Sequence, residues 1–419
     1  MSRFEKFQNE VVAGGSVTES PDDELVGGWR GALGVFALIG LLAALAVKDM
    51  WWFTFVVGVL IAIFLHELGH FVTAKWTGMK ATQFFIGFGP RLWSFRRGET
   101  EYGVRALPLG AFVRIIGMNN MDEVPEADEG RTYRQQSYPK RLLVISAGSI
   151  MHMLIAVLLL FTVYAIDGEQ VERGGVDING TVPAGPAARA GILEDDIVVA
   201  IGGASVDGPD DLGNAVQKLA PGDTVVFDVV RDGAPLSIRV TVAENTDPDS
   251  PLLGKPYVGV ESSDVFEEVD HSIAGAAVNS VTDIFPTAWE SSKGVIKVLN
   301  PVNVFTHLNG TNDDLSTRPT TLVGVTGLSD DVGDAAGFMG IFFLLAVLNV
   351  FIGVFNMFPL LPLDGGHAAI ATYERVRERD GRRYYADVSK MMPFAMAVMT
   401  VLLFLFASGL YLDITDPIG

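Results

Sequence analysis

The segment Phe64-Leu65-His66-Glu67-Leu68-Gly69-His70-Phe71-Val72 sets three ionisable side chains in the middle of an apolar run. It follows Trp51–Leu65, fifteen residues without a charge. On an α-helix, positions i and i+4 share a face, so His66 and His70 can hold one zinc ion. Glu67 then lies beside the metal, placed to take a proton from water. As plain core residues the three would be costly in apolar surroundings unless they paired or bound something.

The rest of the chain supports a membrane setting. The hydrophobic fraction is 49%, the mean hydropathy is +0.33, and the apolar residues cluster. Segments 31–47, 51–73, 142–166, 338–360 and 393–412 read as spans. The first is short, and Lys48-Asp49-Met50 would join it to the second in a tight hairpin. A cleaved signal peptide, processed near Ala44-Leu45-Ala46, is the alternative. Residues 1–30 hold six acidic and three basic side chains, unlike a basic leader, so a retained span is favoured. Cysteine is absent, so zinc must rest on histidine and carboxylate.

The net charge of −20 is unevenly placed. Residues 167–335 carry 28 acidic and 9 basic side chains, whereas 75–141 carry 11 basic and 7 acidic, and 373–392 carry 6 basic and 4 acidic. Lys and Arg collect on cytoplasmic loops, which puts the two basic connections inside and 167–335 outside. Nucleic acid is not expected as a partner.

Residues 1–28 read as a flexible cytoplasmic tail, and 29–50 as an additional N-terminal span. Residues 51–166 read as the first half of a catalytic membrane core. Within it, Glu101–Leu107 and Ala111–Ile116 read as strands around a turn at Pro108-Leu109-Gly110, a β-hairpin over 98–117. It could sit at the bilayer edge and offer an unpaired strand, or be an ordinary cytoplasmic hairpin. Ala147-Gly148-Ser149 would let helices approach closely. His152 nearby is either a metal ligand or, more ordinarily, an interhelical hydrogen-bonding group.

Residues 167–244 read as a compact α+β domain. Pro186–Ile192 precedes Asp195-Asp196-Ile197-Val198-Val199-Ala200-Ile201, then a helix at Asp210–Leu219. Strands Val225–Arg231 and Leu236–Val242 follow, turning at Asp232-Gly233. This order resembles the PDZ domains of bacterial proteases, which bind extended peptides at a sheet edge; a spacer or filter binding no peptide is the other reading. Residues 245–335 read as a linker, Asn245–Pro256, then an amphipathic helix pair over 272–299 broken near Pro286, then a turn-rich stretch over 309–335.

Residues 336–419 complete the core. Asn356-Met357-Phe358-Pro359-Leu360-Leu361-Pro362-Leu363-Asp364-Gly365-Gly366 has two prolines three apart, so the backbone should unwind at membrane depth, where it must line a polar cavity. Asp364 there needs a cation, and a zinc held by two histidines needs a third ligand.

Together these pieces resemble the site-2 proteases, the zinc intramembrane protease family, and specifically their actinobacterial branch. The matching motifs are His66–His70, Gly87-Phe88-Gly89-Pro90, Gly98–Gly103, Pro108-Leu109-Gly110, the PDZ-like domain, Asn356–His367 and Tyr411–Ile418. The resemblance implies one Zn2+ on His66, His70 and Asp364, Glu67 as general base, and Asn356 placing the substrate backbone. It also implies a polytopic α-helical protein of about five spans in the bacterial plasma membrane, with a membrane-associated β-hairpin. The active site would lie towards the cytoplasm and the PDZ-like domain outside. Substrates would be single-span membrane proteins such as anti-sigma factors, cut after an upstream site-1 protease, in regulated intramembrane proteolysis. Two departures stand out: Ser149 and His152 replace the family's usual proline and asparagine, and 31–47 lies outside the common core. A scaffold with structural zinc and a metal transporter are the rivals; the first lacks a fourth protein ligand and the second lacks repeat symmetry.

Overall fold

The computed structural model describes residues 29–417, apart from 119–121, 248–249, 251, 313 and 380–381; the expected tail over 1–28 lies outside the described residues. The chain divides into two compact units, Asp167–His271 and the remainder.

In the larger unit, five helices are long and apolar enough to cross a membrane. They are α1 (Trp29–Lys48), α2 (Met50–Trp76), α3 (Tyr138–Ile166), α9 (Leu322–Asn356) and α11 (Met392–Thr415). Asp49 ends the α1–α2 turn and caps α2, accepting a hydrogen bond from Trp52 N at 2.9 Å. Small residues set the helix crossings. A Cβ on Gly69 would stand 2.8 Å from the Ala147 carbonyl, one on Gly58 2.4 Å from Leu345, and one on Gly353 3.2 Å from His152 Cβ. With hydrogen in those places the backbones approach closely, and close packing drives helix association in lipid.

Two strands, β1 (Ala81–Arg97) and β2 (Thr100–Ile115), follow α2. The sheet therefore begins at Ala81, well before the 98–117 hairpin expected from sequence. Its tight turn is Gly98-Glu99, with Gly98 at φ +65°, and residues 108–110 run inside β2. Gln83 faces both Arg114 and Glu101, and Phe84 both Val113 and Tyr102, so the first part of β1 lies between the two halves of β2. The local pattern hid this because Gly87, Gly89 and Pro90 interrupt β1 and read as loop. Glu99 pins the turn: Arg131 donates to it at 2.7 and 2.8 Å and Lys75 at 2.6 Å. Hydrogen bonds from Arg131, then Lys75, hold the Glu99 carboxyl down to about 2. Phe88, Trp93, Phe95 and Leu107 stay exposed.

The inserted unit has its own core, built on Val176, Ile178, Val198, Phe227, Val229 and Val240, with Ile192 and Leu212. Strands β3 (Glu169–Thr181), β4 (Ile197–Ile201), β5 (Thr224–Arg231), β6 (Ala234–Thr241) and β7 (Val260–Val269) lie in the order β7-β3-β4-β5-β6. Helices α4 (Pro186–Ala190) and α5 (Pro209–Gln217) complete it. Strand β7 pairs along β3 from Thr181 to Glu169. The domain thus extends to His271, and the expected boundary at 244 is corrected. Val260–Val269 is an edge strand rich in Glu and Ser, so it lacks the apolar alternation by which a half-buried strand is read. Buried Asp196 accepts Arg231 Nε and Nη2 at 2.6 and 2.7 Å and Leu193 N at 2.9 Å; the Arg231 hydrogen bonds hold its carboxyl below the usual range.

Beyond the insertion, α6 (Ile273–Thr282) and α7 (Ile284–Val298) form the expected broken helix pair, with Pro286 in the first turn of α7. Tyr164 Oη of α3 donates to Asp283 at the break, 3.0 Å. Helix α8 (Pro301–Leu308) follows. The stretch 309–335, read as turn-rich, is helical from Leu322, and α9 turns at Gly337 (φ +60°, ψ −148°). Its cap is partly local, with Thr321 Oγ1 accepting from Val323 N at 3.2 Å, and partly tertiary: Asp413 of α11 accepts from Thr321 N at 2.8 Å, Thr321 Oγ1 at 2.7 Å and Gly324 N at 3.1 Å. Only the Thr321 part of that cap has a local signal. Helix α9 ends at Asn356, residues 357–363 are unwound, and α10 (Asp364–Arg377) starts at the expected carboxylate.

Candidate metal centre and active site

One turn of α2 presents His66 and His70 side by side, with their Nε2 atoms 3.2 Å apart. Asp364 Oδ2, at the start of α10, lies 3.4 Å from the first and 3.2 Å from the second. The three ligand atoms all fall within 4.8 Å of one another. His70 Nδ1 is 2.7 Å from the Val144 carbonyl. A carbonyl only accepts, so Nδ1 carries the hydrogen and Nε2 presents a bare lone pair. Asp364 Oδ2 is buried with no hydrogen-bond donor among the described residues. Electron-pair donors thus converge on one point, an arrangement that calls for a cation. The nitrogen and carboxylate set suits zinc, and the His70–Val144 bond is the outer partner that metal-bound imidazoles commonly have.

Gly148 of α3 makes the cluster possible. A Cβ there would lie 2.3 Å from His66 Cε1 and 2.5 Å from His70 Nε2. On the Asp364 side, Gly365 and Gly366 let the α10 turn pack on the Met357 carbonyl and the Leu361 nitrogen. Glu67 stays outside the ligand cluster; its Oε2 accepts from Val113 N of β2 at 3.2 Å. Asn356, the last residue of α9, is half-buried and its side chain makes no hydrogen bond among the described residues. An apolar groove of ≈ 640 Å³ runs beside it, lined by Ser149 and Met153 of α3 and by Gly353, Met357, Phe358 and Pro359.

His152 takes the ordinary one of its two expected roles. Its Nδ1 lies 2.7 Å from Asn349 Oδ1, while the Asn349 amide donates to the Leu345 carbonyl at 2.7 Å, so His152 donates between helices. Its ring centre is 5.0 Å from that of His66, adjacent to the cluster without joining it. Sequence reasoning missed Asn349, Gly148 as a packing partner of the rings, and Val113. Asn349 carried a signal as a polar residue inside a span, and Gly148 as one of the small residues 147–149, though not as a neighbour of the rings.

Residues 54–400 match the model of peptidase family M50. The chain is an M50 peptidase. Among its relatives, the zinc metalloprotease Rip1 of Mycolicibacterium smegmatis is 31% identical over 399 residues, covering 87% of this chain and 97% of the relative. Rip1 of Mycobacterium tuberculosis H37Rv is 31% identical over 404 residues, with the same coverage. The chloroplastic membrane metalloprotease ARASP of Arabidopsis thaliana is 28% identical over 377 residues, covering 85% and 76%. A PDZ domain of an SdrC-like protein from Listeria monocytogenes aligns with 22% of this chain and 93% of its own, at 18% identity and a TM-score of 0.20. This M50 peptidase is a zinc metalloprotease and a multi-pass membrane protein. The matched residues begin after α1, so the additional span stands outside the family's shared core.

Proposed function

We propose that this M50 peptidase hydrolyses single-span membrane proteins, such as anti-sigma factors, within the bilayer, with His66, His70 and Asp364 holding zinc and Glu67 as general base. The observation that carries the reading is the convergence of three ligand atoms, two from the apolar turn of α2 that carries Glu67 and one from the start of α10. Zinc at this point supplies Lewis acidity to water and to the scissile carbonyl. Glu67 takes the proton of the attacking water and returns it to the leaving amine. Its Oε2 is steadied by Val113 N–H, which leaves the rest of the carboxylate for proton transfer.

That hydrogen bond also supports a path for substrate along β2. Val113 lies in the outer half of β2, with Phe84 of β1 as its partner on one side, and its N–H points to Glu67. An unwound substrate segment laid along this edge would gain strand hydrogen bonds and bring its backbone to the base. The free amide of Asn356 stands ready for the substrate backbone, and the apolar groove beside it accommodates the part still helical. The Lys/Arg distribution supports a cytoplasmic site and an extracytoplasmic insertion, which would meet substrates already trimmed by a site-1 protease.

The test is cleavage of a single-span reporter by purified protein in liposomes, with the cut bond mapped by mass spectrometry. Wild type should carry about one zinc per chain and cut inside the apolar segment; Glu67→Gln should keep the zinc and lose at least ~10²-fold in turnover. A cut confined to the soluble flanks, or near-normal cleavage by Glu67→Gln, would reject the reading.

A further inference from the structure

We propose that a small buried cavity, into whose largely apolar lining Tyr133, Arg141 and His367 bring polar groups, holds one ordered water molecule, and that this water anchors the helical turn carrying Asp364. The three residues come from the connection after β2, the first turn of α3 and the first turn of α10, and are 2%, 9% and 6% exposed. Tyr133 Oη, Arg141 Nε and His367 Nε2 are buried and none makes a hydrogen bond of regular geometry, although the Arg141 guanidinium stands close enough to Tyr133 Oη to interact with it. A single buried group left unpaired is costly, so three lining one cavity imply a shared partner. The cavity leaves ≈ 20 Å³ in which the centre of a water molecule can move, so a water fits between these groups.

The chemistry of the walls selects a neutral guest. Arg141 Nη2 is paired with Glu374 Oε2 at 2.6 Å, and its guanidinium lies 5.0 Å from the Tyr133 ring. A cation would face that guanidinium, and an anion would face Glu374. Burial pushes the Tyr133 hydroxyl up to about 12, so it enters as an O–H donor. A water then accepts from Tyr133 O–H and Arg141 Nε–H and donates to His367 Nε2. Those three bonds are the usual complement of a buried water.

The consequence for the metal centre follows from spacing. His367 is one helical turn after Asp364, and the residues between are glycine, without side chains to anchor the turn. His367 is therefore the first side chain that can tie that turn to α3, which also carries Gly148 against the histidine rings. It acts as a positioning residue. This role rests on Asp364 as a zinc ligand; the water site does not.

Density maps of the full-length protein, with and without zinc, test the water directly. A peak within hydrogen-bond reach of all three atoms in both maps is expected, and an empty cavity in a map that resolves other buried waters would overturn the site. Chelator competition tests the positioning role. Tyr133→Phe should lower zinc affinity by roughly tenfold, within the range of outer-sphere substitutions, and shift the visible bands of the cobalt-substituted protein. His367→Gln, which keeps an acceptor, should retain more affinity than His367→Ala. Unchanged affinity and bands in Tyr133→Phe and His367→Ala would overturn the positioning role, whereas wild-type zinc content in Asp364→Ala would instead remove the ligand assignment beneath it.

Discussion

Gly148→Ala probes the metal centre without touching any ligand. The added Cβ would sit 2.3 Å from His66 Cε1, 2.5 Å from His66 Nδ1 and 2.5 Å from His70 Nε2. Non-bonded carbon atoms settle at about 3.5–4.0 Å, so the rings must retreat by about 1 Å or α3 must move away. His70 resists, because its Nδ1 is held by the Val144 carbonyl on the same helix as Gly148. His66 therefore takes most of the displacement. Zinc–ligand distances tolerate about ±0.2 Å, so a shift several times larger removes His66 as an effective ligand. Loss of an outer partner alone costs 10–100-fold in affinity, and a displaced ligand should cost at least about 100-fold, or ~2.7 kcal/mol. Overpacking adds about 1–3 kcal/mol of lost stability. Chelator competition on detergent-purified protein, with helicity measured alongside, reads both effects. Gly40→Ala is the control, since nothing lies within 4 Å of its Cβ. A folded Gly148→Ala protein with wild-type zinc affinity would refute the contact geometry on which the reasoning depends.

Orientation can be tested with single cysteines at Ser137 and Ser205, because the chain has none of its own. An impermeant thiol reagent on intact cells should label position 205 and spare 137, and the reverse pattern overturns the topology. In the excised insertion 167–271, Asp196→Ala should lose about 1–3 kcal/mol at pH 7, where Leu193 N–H and Arg231 lose their partner. The depressed Asp196 carboxyl contributes stability above its ordinary value of 3.8 and loses it as pH falls through the lower folded value. The difference between the variant and wild type should therefore close in acid; a gap that persists unchanged to pH 2 would contradict this. Deleting 167–271 should leave zinc bound and open the site to untrimmed substrate if the domain is a filter. If it reads a new terminus, deletion should slow trimmed substrate and leave untrimmed substrate resistant. Unchanged cleavage of both rejects either role.

How far this site was legible depends on the range over which each interaction acts. His66, Glu67 and His70 lie within one helical turn, so their spacing alone states their geometry. Asp364 was reachable by a different route: paired prolines force unwinding, unwinding at membrane depth demands a polar cavity, and a carboxylate there demands a cation. Both inferences needed only covalent neighbours and the solvent. Gly148, Val113 and Asn349 act across elements distant in sequence, and nothing beside them in the chain records what they face. The same division explains the fold. Helices α2 and α3 declare themselves by composition, whereas the helical turns from Leu322 join a local Thr321 cap to one from Asp413, about ninety residues on. The edge strand β7 is defined by its backbone partner β3 and carries no pattern of its own. In this M50 peptidase the chemistry is written locally, and what holds it in register is written at crossings where glycine leaves room. Substitutions that enlarge Gly69, Gly148 or Gly353 should therefore damage catalysis more than equal changes on the lipid-facing sides of the same helices.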